Sequence, residues 1–99
     1  MHNESNAFEQ AAQRSIDLAN ELAERQIDAD LWEIADGTLS GAIHYWLFSR
    51  QPCPDRDCDD CAPVATAELR LQTLLKLVRE LAEESLYYHS PSDHNAAHG

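Results

Sequence analysis

Apolar positions in this chain recur every three or four residues, the period of a helix with one side turned toward a core. Phe8, Ala11, Ser15, Leu18 and Leu22 form the first stripe, widened by Ala12 and Ala19; Glu9, Gln13, Arg14, Asp17, Asn20, Glu21, Glu24 and Arg25 occupy the other faces. The pattern predicts a helix over 5–26. Its alanines let a neighbour come close but bury little area per residue.

A second helix is predicted over 30–50. Asp30 is a good N-cap, and Glu33 stands where a capping box needs its carboxylate. Leu31, Ile34, Ala35, Leu39, Ala42, Ile43, Trp46 and Leu47 carry the apolar pattern onward. Inside it lie Gly37 and Gly41, each costing about 1 kcal/mol relative to alanine in a helix. Two such residues call for a reason. A second backbone crossing closely is the favoured one, and a kink near Gly37 is the other.

The third helix carries the strongest pattern. Pro63 suits a first helical turn, and the helix is predicted over 63–88. Heptads counted from Val64 place Val64, Ala67, Leu71, Leu74, Val78, Leu81, Ser85 and Tyr88 at the a and d positions, with Ser85 the one break. Leu75, Leu77, Ala82 and Leu86 add a second apolar flank, wider than a single coiled-coil partner needs. Pro91 blocks continuation, and 89–99 reads as a disordered tail.

No strand pattern competes with these helices. The fold class is all-α: a three-helix up-down-up arrangement forming a single helical domain over 1–88, with a cysteine-containing loop between helices two and three. The short first connection, at 27–29, favours an antiparallel hairpin. A chain of 99 residues buries only about 60–70% of its unfolded surface. Trp32, Tyr45, Trp46, Phe48 and the broad third stripe exceed one small core. These features predict a homodimer with a four- or six-helix core, its interface formed by Leu71, Leu74, Val78, Leu81 and Trp46.

Charge narrows the partners. Seven basic and 18 acidic residues give a net −11, which repels nucleic-acid phosphates and anionic membranes. Apolar grooves, basic proteins and divalent cations remain. No apolar run approaches the roughly 20 residues that span a bilayer. The opening "MHNESNAFEQ" has neither a basic nor an apolar signal region. Three cysteines, an odd number, make a poor disulfide framework. Together these point to a reducing cytoplasm.

Those cysteines all lie in "PCPDRDCDDCAP", as Cys53, Cys58 and Cys61. The two-residue gap between Cys58 and Cys61 lets both sulfurs face one point, as tetrahedral zinc requires. Pro52 and Pro54 stiffen the chain so that Cys53 can fold back to join them. The loop itself lacks a fourth ligand. His44 lies roughly 10–14 Å from Cys53 along the second helix axis, at ~1.5 Å per residue. His89 or His94, at the far end of helix three, would have to come from a second subunit. Asp55 or Asp57 can offer an oxygen instead. His44 also has a simpler reading, as a half-buried packing residue beside Tyr45 and Trp46.

Other chemistries fit less well. The spacing matches the first three ligands of a plant-type iron–sulfur cluster, but the chain has no fourth cysteine. Cys58 and Cys61 form a C-x-x-C pair, yet Asp55, Asp57, Asp59 and Asp60 crowd it with only Arg56 opposing. That charge should raise the thiol pKa values and slow attack, which leaves a passive disulfide as the redox option. An EF-hand fails, with Asp60 where glycine is needed and Thr66 where glutamate is needed. A solvated, helix-capping connector is the plain alternative.

No Glu-x-x-His pair, phosphate-binding glycine loop or Ser/His/Asp arrangement is present. Glu80, Glu83 and Glu84 read as a solvated face beside Lys76 and Arg79. Tyr87, Tyr88 and His89 form a small aromatic patch. The expected function is that of a small acidic interaction or regulatory protein, not an enzyme, acting through a homodimeric or partner-binding helix surface. The alternative is a zinc-binding or redox-responsive protein using Cys53, Cys58 and Cys61.

Overall fold

The computed structural model describes residues 6–55 and 57–93. The chain is all-α: among the described residues it forms α1 (Ala7–Arg25), α2 (Leu31–Ser49), a 3-10 helix (Asp59–Val64) and α3 (Ala67–Glu84), with no strand. Two compact units meet in sequence at Ser49 and Arg50. None of the described helices is long and apolar enough to cross a membrane.

The first unit contains α1 and α2, which pack on one another. Asn6 starts α1 by accepting the Glu9 N–H on its side-chain oxygen at 2.7 Å, satisfying one of the amides that a helix start leaves unpaired. Arg25 closes the helix beside Glu21 at 2.7 Å. Asp30 caps α2 as its sequence suggests, its carboxylate accepting the Trp32 N–H at 3.1 Å.

The glycine pair behaves differently from expectation. Helix α2 runs through Gly37 and Gly41 without interruption. A Cβ built on either glycine meets nothing within 4 Å. Within the first unit no described backbone crosses there.

The second unit contains the cysteine loop, the 3-10 helix and α3. Helix α3 starts later than the proline suggested. Pro63 lies within the 3-10 helix, and Thr66 is the N-cap, extended at φ −126° and ψ 163° with its hydroxyl accepting the Leu69 N–H at 3.1 Å. A threonine hydroxyl satisfies a first-turn amide, which proline cannot do, and the helix begins where that cap stands. The helix also stops short of Tyr88. Ser85 turns extended at ψ 141°, and its hydroxyl accepts the Tyr87 N–H at 3.1 Å, a local bond that competes with helical pairing. Of the predicted tail, residues 90–93 form a turn in which Asp93 accepts the Ser90 N–H at 2.8 Å; residues 94–99 lie outside the described part.

Burial is sparse. Among the described residues the single buried apolar side chain is Leu74, 7% exposed. On the ridge of α3, Leu74 is enclosed, while Leu71, Val78 and Leu81 keep 46%, 41% and 38% of their surface exposed. Trp46 is half-buried on α2. Phe8, Trp32, Tyr45, Phe48, Leu86 and Tyr87 are exposed.

Candidate metal site

Two side chains of α3 fix the segment that carries the cysteines. Thr73 donates its hydroxyl to the Pro63 carbonyl at 2.9 Å, and Arg70 donates to the Val64 carbonyl at 3.0 Å. These bonds hold the end of the 3-10 helix on α3 and satisfy carbonyls that its short turns leave free. Upstream, the Asp55 carboxylate accepts the Asp57 N–H at 3.0 Å, and the Cys58 N–H reaches the Asp55 carbonyl at 3.2 Å. The Cys61 N–H then reaches the Cys58 carbonyl at 3.3 Å. Asp55 therefore acts as a turn former, which helps so acidic a stretch to fold tightly.

This scaffold brings three sulfurs together. The Sγ atoms of Cys53, Cys58 and Cys61 all lie within 4.8 Å of one another. The sulfurs of Cys53 and Cys61 are 3.4 Å apart, and the Cys53 N–H donates to Cys61 Sγ at 3.4 Å. All three cysteines are free thiols, Cys53 exposed and the other two half-buried. They line an open cleft of about 640 Å³ together with Pro52, Pro54, Asp55, Asp57 and Asp59.

The geometry suits a tetrahedral ion. Zinc–sulfur bonds of ~2.3 Å at tetrahedral angles place neighbouring sulfurs roughly 3.8 Å apart. The observed cluster needs only small side-chain shifts to meet that spacing. The Cys53 N–H that reaches Cys61 Sγ is the kind of outer contact that orients and stabilises a thiolate ligand. A divalent ion also offsets the negative charge that Asp55, Asp57, Asp59 and Asp60 bring to the loop. The three cysteines are thus close enough together to hold a metal ion.

The thiols differ in acidity, chiefly through contacts among themselves. Cys58 is drawn below the ordinary thiol range, first by a hydrogen bond from the Cys61 thiol and then by one from Cys53. At Cys61 the Cys53 N–H favours the thiolate, but the neighbouring thiols of Cys53 and Cys58 and partial desolvation outweigh it; Cys61 is pushed up. The expected uniform rise under carboxylate repulsion is replaced by a split, because contacts between sulfurs act at shorter range than the surrounding charges.

The remaining sequence candidates stand elsewhere. His44 is on α2, in the first unit, and is exposed rather than half-buried. His89 stacks edge-on against Tyr88, ring centres 4.8 Å apart, and His94 lies outside the described residues. Arg79 reaches Glu83 at 3.9 Å on an exposed face, as a solvated helix surface does. Sequence reasoning misses Thr66, Arg70 and Thr73 as the residues that position the loop. Only Thr66, a residue type favoured at a helix N-cap, carries a local signal.

The chain matches no family model, no curated protein and no solved structure.

Proposed function

We propose that this chain is a small zinc-binding helical protein whose metal site organises an interaction module. Cys53, Cys58 and Cys61 supply three thiolates, and the carboxylate of Asp55 or Asp57 completes the tetrahedron. The ion clamps the loop ahead of α3, and the half-exposed ridge of Leu71, Val78 and Leu81 meets a protein partner or a second copy of the chain. In this reading the chain forms a cytoplasmic dimer, and its acidic surface keeps nucleic acid and membrane away. The observation that carries the metal reading is the convergence of three sulfurs within 4.8 Å. Zinc here has a structural role. A chain with one buried apolar side chain among its described residues gains from a crosslink that exists only in the folded state.

The 3.4 Å approach of Cys53 and Cys61 supports a second, redox-responsive reading of the same loop. There a peroxide takes two electrons from these two thiolates and two protons from solvent, leaving a disulfide and two waters, and the ion loses two ligands.

Cobalt(II) substitution tests the metal reading. Thiolate-to-cobalt charge-transfer bands and intense tetrahedral d–d bands should appear at one equivalent. They should fade in Cys53→Ser, Cys58→Ser and Cys61→Ser. A pale octahedral spectrum in the reduced protein would refute the site.

A further inference from the structure

Helix α2 is apolar on more sides than α1 covers. The groove between the two helices is lined on α2 by Ala35, Thr38, Leu39 and Ala42. About 100° around the helix, at 3.6 residues per turn, lies a second stripe of Ile34, Gly37, Gly41, Tyr45 and Phe48. Tyr45 and Phe48 are each 68% exposed, with ring centres 5.9 Å apart in a tilted pair. The glycines beside them are open, since a Cβ at either position meets nothing within 4 Å. Two glycines weaken a helix, and nothing described in the first unit lies against them.

We infer that this stripe is a self-association face, and that its occupant is α2 of a second copy. Charge selects the copy. Each chain carries −11, so two copies can approach closely only where acidic groups are missing. From Gly37 to Ser49 there is no Asp, Glu, Lys or Arg. Shape supports the same choice, because the stripe carries both a hollow and something to fill it. In an antiparallel pair crossing at Gly41, Tyr45 of each copy stands opposite Gly37 of the other and Phe48 stands opposite Ile34. An aromatic ring then rests on backbone bared by glycine. The area is that of a weak dimer: the exposed surfaces of Tyr45 and Phe48, with the remaining open part of Ile34, offer roughly 400 Å² per copy, about 800 Å² in total.

The inference sharpens the association part of the reading above, placing the dimer contact on α2 and leaving the α3 ridge free for another protein. Sedimentation of the full chain at micromolar concentration, with and without zinc, tests it. The wild type should be a dimer in both states. Gly37→Leu and Gly41→Leu should each raise the dissociation constant by about 10-fold or more with helix content retained, because the free chain has room for the new side chain. Val78→Glu should change it less than about 3-fold. A photoreactive benzoylphenylalanine in place of Tyr45 should cross-link to the Gly37 peptide of the other copy. A monomeric wild type, a dimer that tolerates both leucines, a dimer broken by Val78→Glu instead, or a cross-link to α3 would each overturn the assignment. A dimer that persists without zinc keeps this test separate from that of the metal site.

Discussion

The backbone N–H of Cys53 points at Cys61 Sγ from 3.4 Å, across eight residues of sequence. That contact closes the loop. It brings the cysteine most distant in sequence into the cluster and leaves Cys58, from the same short helical turn as Cys61, as the third member. The site is therefore assembled by the fold of the loop as well as by the C-x-x-C spacing.

The acidity split among the thiols should be visible chemically. In metal-free, reduced protein Cys58 lies below the usual thiol range and Cys61 above it. A lowered value means the thiolate forms at lower pH, and the thiolate is the species that alkylates. The iodoacetamide rate at Cys58, followed by peptide mass spectrometry, should thus have its inflection at lower pH than that at Cys61. The reverse order would show that the sulfur–sulfur contacts do not govern acidity here.

Thr66 sets the start of α3 and, through it, the placement of the loop. Thr66→Ala removes the hydroxyl that accepts the Leu69 N–H and should destabilise the protein by about 1 kcal/mol. Thermal unfolding followed by circular dichroism measures this, and Thr66→Ser should restore most of the loss.

Zinc should stabilise the fold by mass action. Ion in excess of its dissociation constant by about 1,000-fold contributes roughly 4 kcal/mol, provided the unfolded chain binds weakly. Differential scanning calorimetry should therefore show a melting temperature that rises with zinc and falls back with chelator. Cys53→Ser should abolish the dependence on metal.

The helices could be read in the sequence because their apolar periods and the cap at Asp30 are local signals. The bounds of α3 were harder. Pro63 is acceptable in a first α-turn and in a 3-10 turn alike, and the decision fell to the Thr66 hydroxyl. At the other end Ser85 interrupted the heptads, and it is there that the helix stops. The paired thiols Cys58 and Cys61 were legible from spacing. The contact of Cys53 with Cys61 depends on a chain reversal that prolines permit but do not dictate. The backbone crossing that Gly37 and Gly41 suggest in the sequence has no counterpart within the first unit, where a Cβ at either position meets nothing within 4 Å.

Native mass spectrometry of freshly purified, reduced protein tests the central claim most directly. A mass increment of one zinc per chain, removed by chelator and missing from a variant with Cys53, Cys58 and Cys61 all replaced by serine, is the predicted result. A bare chain mass after zinc has been supplied, or an increment that survives loss of all three thiols, would contradict it.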